Sequence, residues 1–361
     1  MKKLETAILL LKEIEQHNQE AYIVGGFVRD LLRKKPNDDI DICTSMTPNM
    51  LKKNFKVLKE NYGSSLVIYH DEIFEITTFR KEVGNILHRH PQKVHYIKSL
   101  QEDLQRRDFK INAICMNSKR EIIDPLNGQN DIINRRIVCI GDAKKRFEED
   151  SFRILRAIRF ATTLNFTMDE KLKEAIIEKK HLLKNISYQR KKEELDKIFY
   201  SKNASYGRKL LIDLDLLNIL EIPKLKDAIL YSHPLLIWMQ LDVDALYPFS
   251  KKEKKQMNYL RKCQKETFQI YRIYESDFNT CILIGMLKGI EKEEIKIMKK
   301  NLPIHSREDI NITSQVLAKY IPNKKLSQCY KQIEKEILRG HLKNNVKEIK
   351  KWVESNHNFY T

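Results

Sequence analysis

Apolar positions between residues 4 and 16 recur at helical spacing and predict an amphipathic helix. The pattern then shortens. Brief apolar runs predict strands at residues 21–24, 39–43, 66–70 and 73–80, the last two joined by the polar turn Asp71-Glu72. Residues 27–33 read as a short helix, and Thr47-Pro48 starts another, with Thr as cap and Pro at its first position. Residues 111–116 are strand-like, and Asp124-Pro125-Leu126-Asn127-Gly128 is a turn. From about residue 128 strand-like runs largely disappear, and long charged helical patterns continue to the end. An α/β part followed by an all-helical part is therefore expected, with the boundary near 125–142. Its 361 residues are too many for one ordinary core.

One pair of carboxylates changes the picture. In Asn37-Asp38-Asp39-Ile40-Asp41-Ile42-Cys43, alternation sends Ile40 and Ile42 to the core and puts Asp39 and Asp41 on the opposite face. Neighbouring carboxylates repel unless a cation lies between them, and hard oxygen ligands suit Mg2+. Just upstream, Gly25-Gly26 precedes a short apolar helix. Glycines there let backbone approach a phosphate closely, next to a helix N-terminus that favours negative charge. Glu75 alternates with Phe74 and Ile76 and so points away from the core, either as an ordinary solvent-facing strand Glu or, given the flanking motifs, as a third carboxylate facing the aspartate pair. A phosphate cradle beside a metal-binding pair describes a nucleotidyl-transfer site.

Charge adds a partner. The chain carries 67 Lys and Arg against 49 Asp and Glu, a net +18, which favours a polyanion and nucleic acid before membrane. A lysine-rich proteome gives the same bias, so charge is only supporting. The six cysteines are scattered without C-x-x-C spacing, as expected of reduced core thiols in a cytoplasmic protein. No stretch has the apolar length of a membrane span. Residues 81–98 hold His88, Arg89, His90 and His95 but no acidic ligand set, and a mobile basic loop is expected there.

Residues 146–160 form the second informative segment. Phe152, Leu155, Ile158 and Phe160 supply an apolar side, while Asp150, Arg153, Arg156 and Arg159 recur every third residue in a row that drifts round a helix. Asp accepts hydrogen bonds and Arg donates them, so an Asp150–Arg153 pair matches the amino donor and ring acceptor shared by cytosine and adenine. Taken alone, an i,i+3 salt bridge explains the pair as well. Its place after a nucleotidyl-transfer site decides for base reading.

Together, Val24-Gly25-Gly26…Arg29-Asp30, Asp39-Ile40-Asp41, Arg106-Arg107-Asp108…Asn112-Ala113, Asp124-Pro125…Gly128, Glu149-Asp150-x-x-Arg153 and Ile186-Ser187…Arg190…Glu194-Leu195 closely resemble the class II tRNA nucleotidyltransferase and bacterial poly(A) polymerase family. The resemblance covers about residues 20–200. Beyond it, Leu338-Arg339-Gly340…Asn345…Trp352 looks like the helical tail of bacterial CCA-adding enzymes.

That resemblance implies a polymerase-beta-like nucleotidyltransferase head at 1–140, a helical neck with the base-recognition helix at 141–200, and a helical body and tail binding tRNA at 201–361. It implies that Asp39 and Asp41 hold two Mg2+ ions with Glu75 as third carboxylate, and that Gly25, Gly26 and Arg29 form the phosphate site. Arg107, Asp108 and Asn112 match the motif for ribose and triphosphate; Asp150 and Arg153 act as base template, supported by Arg156 and Arg159. The 81–98 segment matches the element linked to switching from CTP to ATP. The sequence departs from the family at Gln189, in the 81–98 segment, and at Ile321-Pro322-Asn323-Lys324-Lys325, where a glycine-rich element is usual.

The expected activity is untemplated addition or repair of the CCA end of tRNA from CTP and ATP, releasing pyrophosphate. The alternatives are a poly(A) polymerase, an enzyme adding only CC or only A, and a silent RNA-binding protein; Asp39 and Asp41 argue against the last.

Overall fold

Short runs with a buried face can only bury it by pairing, and here they do so around Asp41. The computed structural model describes residues 2–83 and 93–356, so His88, Arg89 and His90 lie outside the described residues. The chain divides into two units: Met1–Ser232 with Ala245–Pro248, and His233–Asp244 with Phe249–Thr361.

The first unit opens with α1 (Lys2–Gln16), β1 (Ala21–Val24), α2 (Gly26–Leu32) and β2 (Asp41–Thr44). Next come α3 (Pro48–Asn54), capped by Thr47 as its Thr-Pro start implies, then β3 (Lys56–Asn61), β4 (Ser64–Tyr69) and β5 (Glu72–Thr78). With β8 (Cys115–Met116) and β9 (Ile122–Ile123) they form a seven-stranded sheet ordered β3-β4-β5-β2-β1-β8-β9. Neighbours run antiparallel except β2 and β5, which are parallel. Ile23, Ile42, Phe74 and Ile76 are fully buried, each burial worth roughly 2 kcal/mol. Alternation puts Asp41 on the other side of β2, and the register sets it against Val24 and Glu75.

Three expectations for this region change. β2 starts at Asp41, so Asp39 stands in the loop before it, its N–H donating to Asn37 Oδ1 at 2.9 Å. Residues 111–116 are not one strand: Lys110–Asn112 is a 3-10 turn, and only Cys115–Met116 joins the sheet. The segment expected to be a basic loop is rooted in an antiparallel ribbon of β6 (Arg80–Val83) and β7 (Lys93–Tyr96), which places His95 opposite Lys81. Strand β3 was not anticipated because its Lys and Glu residues hide the alternation. It is an edge strand with a bulge between Val57 and Lys59, and charge is what keeps such an edge from pairing further.

After α4 (Leu100–Gln105) and α5 (Gly128–Ile133), helices dominate: α6 (Ala143–Glu149), α7 (Phe152–Leu164), α8 (Glu170–Lys179), α9 (Tyr188–Tyr200) and α10 (Ala204–Asp213). A small parallel pair, β10 (Arg136–Ile137) with β11 (Thr167–Met168), interrupts them. The second unit is helical among the described residues: α11 (Pro234–Leu241), α12 (Lys251–Lys265), α13 (Ile270–Glu275), α14 (Phe278–Lys288), α15 (Lys292–Lys300), α16 (Ser314–Leu317), α17 (Leu326–Leu338) and α18 (Val346–Ser355). Ile295, Ile304, Leu317, Ile333, Ile349 and Val353 belong to its core, with Trp352 packed against them. Gly340 ends α17 with φ +77°, and Asn345 caps α18 by accepting the Glu348 N–H at 2.9 Å.

A candidate nucleotide and metal site

Strand β1 delivers the chain to Gly25, whose φ of +84° turns it sharply into α2; a side chain there would be strained. An added Cβ would stand 3.9 Å from Asp41 Oδ2, so the turn lies directly beside that carboxylate. Gly25, Gly26, Arg29, Asp39, Asp41, Arg107, Asp108, Asn112, Asp150, Arg153, Arg156 and Arg159 all line one cleft of about 580 Å3, within the size range of small-ligand sites. The structure thus brings together every expected site residue except Glu75. That residue is exposed on β5, in register with Asp41, and accepts a 2.5 Å hydrogen bond from Ser64 Oγ.

The acidic end of the cleft fits a divalent cation. Burial, Asp39 and Glu75 together push the Asp41 carboxyl up to about 6, against the opposing pull of Arg107 and Lys3. A bound cation would relieve this excess of negative charge. Among the described residues no group of three or more His, Cys, Asp or Glu is arranged to hold a metal. Two carboxylates completed by water and nucleotide phosphates are nevertheless an ordinary Mg2+ environment.

The rest of the cleft is cationic, and its principal arginines are backed by carboxylates. Arg29 donates to Asp30 at 3.1 and 2.6 Å and to Asn112 Oδ1 at 2.8 Å, while Asp30 also accepts from Arg33 and Asn37. Burial opposes ionisation of Asp30, but these bonds outweigh it and hold its carboxyl below the usual range. Arg156 donates to Asp108 at 2.7 Å and Arg159 to the buried Glu194 at 2.5 Å. Asp108 also accepts from Asn112 and from the Phe109 N–H, and these partners outweigh burial and keep it ionised. The Arg159, Arg156 and Arg29 guanidinium carbons lie 3.7, 5.2 and 5.5 Å from the centre of the Phe160 ring. That ring fixes the three cations around one apolar floor.

The expected continuous helix at 146–160 is broken. Helix α6 stops at Glu149, Asp150 is extended (φ −147°, ψ 98°), and α7 begins at Phe152. Asp150 Oδ1 accepts the Phe152 N–H at 3.1 Å, a local bond that competes with continued helix. Asp150 therefore sits at a junction and not in the helical row with Arg153. Arg153 instead reaches the Arg146 and Arg106 carbonyls at 2.9 and 3.2 Å and Glu149 at 3.1 Å. Both side chains still line the cleft.

Asn37, Arg106, Phe160 and Arg190 line it too, although none carried an assigned role from sequence. Arg190 stacks 3.9 Å above the Phe152 ring and lies 4.0 Å from Asp150. Its place in the Ile186-Ser187…Arg190 motif was the available signal.

Comparison with known proteins gives the family. Residues 21–138 match the poly A polymerase head domain, and residues 165–229 match the family described as the probable RNA and SrmB-binding site of polymerase A. The CCA-adding enzyme of Staphylococcus haemolyticus is 34% identical, the alignment covering 96% of each chain. That of Bacillus cereus is 30% identical over 98% of this chain and 99% of its own. The crystal structure of the Bacillus stearothermophilus CCA-adding enzyme in complex with CTP superposes with a TM-score of 0.86 at 25% identity, covering 99% of this chain and 98% of that one. Near-full-length similarity of this kind, joined to the cleft described above, places the chain in the family of CCA-adding enzymes and their poly(A) polymerase relatives.

Proposed function

We propose that this protein adds or repairs the 3′-terminal CCA of tRNA from CTP and ATP without a nucleic-acid template. The observation that carries the reading is the single cleft, in which the carboxylates Asp39 and Asp41 face an array of arginines. The tRNA 3′ oxygen attacks the α-phosphorus of the bound nucleotide. The bond to the bridging oxygen breaks, pyrophosphate leaves, and the hydroxyl proton passes to solvent. Mg2+ held by Asp39 and Asp41, as two ions, would supply the charge that lowers the hydroxyl pKa and stabilises the leaving pyrophosphate. Glu75 adds negative charge beside Asp41 and strengthens the demand for cation.

Catalysis then rests on positioning. The Gly25-Gly26 turn leaves room for phosphate, and Arg29 and Arg107 meet its charge. Asp108 and Asn112 hold Arg156 and Arg29 in place at the ribose side. Asp150 accepts from, and Arg153 donates to, the pairing edge of the incoming base. To do so Arg153 exchanges a backbone carbonyl for the base.

Residues 1–140 act as the catalytic head, 141–200 as a neck carrying base recognition, and 201–361 as the body and tail that grip tRNA by shape and phosphate. No helix among the described residues is long and apolar enough to cross a membrane. All six cysteines are buried free thiols, which suits a cytoplasmic tRNA-processing enzyme.

The test is incorporation by Asp39→Ala and Asp41→Ala. Both are expected to lose turnover while keeping tRNA affinity. Appreciable remaining turnover would refute the metal assignment.

A further inference from the structure

We propose that Asp103 is a positioning residue for nucleotide binding, holding Arg107 at the cleft from a site that nucleotide never touches. Ser99 accepts the Glu102 N–H and starts α4, so Asp103, Arg106 and Arg107 fall at i, i+3 and i+4 and meet on one side. The Asp103 side chain is 0% exposed and does not line the cleft, whereas Arg106 and Arg107 do. Asp103 Oδ1 accepts from Arg106 Nε at 2.8 Å and from the Arg80 N–H, the first residue of β6, at 3.2 Å. Oδ2 accepts from Arg107 at 3.2 Å.

This division of labour decides what Asp103 does for Arg107. Arg107 Nε is buried with no hydrogen-bond partner among the described residues, so its tie to Asp103 is the bond that orients the guanidinium. The cleft holds several other cations, and like charges push one another outward. A buried anion behind Arg106 and Arg107 opposes that push and keeps both aimed at one place. The pattern matches Arg29 and Arg33 on Asp30, Arg156 on Asp108 and Arg159 on Glu194, except that the carboxylate here serves two arginines that both line the cleft and also the root of the β6–β7 ribbon.

The inference rests on the cleft being the nucleotide site, and Asp103→Asn separates the two claims. An asparagine keeps more bonds by leaving its oxygen toward Arg80 N–H and Arg106 Nε, which turns its NH2 against Arg107. The Arg107 link is cut while the ribbon anchor stays. Steady-state kinetics of the full-length enzyme with CTP and ATP should show KM raised about tenfold for both. Turnover should stay within about twofold and tRNA affinity should not change. In an Arg107→Ala background, where KM is already raised, Asp103→Asn should add less than about twofold, since the two act as one unit.

An unchanged KM in folded Asp103→Asn, or an equal rise in both backgrounds, overturns the positioning role. If Arg107→Ala itself leaves KM unchanged, the nucleotide-site reading falls and the inference falls with it. Should Asp103→Asn fail to fold, Asp103→Glu keeps the buried charge and the Arg107 side chain but displaces the carboxylate by one methylene. A nucleotide KM raised in the Arg107 protein but not in the Arg107→Ala background then supports the proposal, and an unaltered KM overturns it.

Discussion

At the scale of single residues, the cleft is a set of arginines pinned by carboxylates, and this makes its stability depend on acid. Asp30 and Asp108 have carboxyls held below their ordinary value, so they bind fewer protons folded than unfolded. Their contribution is therefore complete above the unfolded pKa near 4 and is lost as pH falls below it. The part of the melting temperature owed to these two residues should be flat near neutrality and fall below about pH 4, and Asp30→Asn should flatten that limb. Asp30→Asn should also cost about 3 kcal/mol at neutral pH, because Arg29 and Arg33 lose a buried counter-charge; urea denaturation measures it. Specificity belongs to this scale as well. Asp150→Ala should relax selection against UTP and GTP in misincorporation assays, and unaltered preference would remove its role as base template. Asp39 and Asp41 were legible because their partner pattern is local, with Ile40 and Ile42 between and after them. The pairs Arg156–Asp108 and Arg159–Glu194 were not, since 48 and 35 residues separate the partners and nothing in the chain announces which charges will meet.

At the scale of elements, two features position the site. The break at Asp150 turns what reads as one helix into two, because an Asp side chain can satisfy the N–H of the next helix and periodicity cannot register that choice. The turn at Asp124–Gly128 is the other. Asp124 accepts the Gly128 and Gln129 N–H groups at 2.8 Å each, and α5 then packs on the 3-10 turn that carries Asn112. A Cβ on Gly128 would stand 2.3 Å from the Lys110 carbonyl oxygen, which is backbone and cannot step aside. Gly128→Ala should therefore cost about 2–4 kcal/mol in thermal unfolding and weaken nucleotide binding through Asn112. Gly128 was visible in the sequence as the end of a turn, but its role in close packing was not. The strand assignments failed where chemistry hides alternation, at the charged edge β3 and in the 3-10 turn before β8.

At the scale of the whole chain, the +18 charge and the family agree on a polyanionic partner. Lys251, Lys252, Lys254 and Lys255 are exposed on the first turns of α12, which a Ser250–Glu253 capping box begins. Replacing all four by Gln should weaken tRNA binding and flatten its salt dependence by about 0.7–0.9 in log–log slope for each phosphate that is no longer neutralised, with nucleotide KM unchanged. An unaltered slope would move the RNA-binding surface elsewhere. The helical character of the second unit was legible from its periodicity, whereas the packing of its helices depends on distant segments meeting, such as Ile295 with Ile349 in one core. The most direct test of the account is incorporation on three purified tRNA ends, lacking CCA, ending in C and ending in CC, with CTP and ATP separately and together. With both nucleotides, extension of each end to CCA followed by arrest is the predicted result, with CTP alone stopping at CC and ATP alone extending only the CC end. With both present, arrest at CC, action on CC ends alone, continuation into poly(A), or no incorporation at all would contradict it.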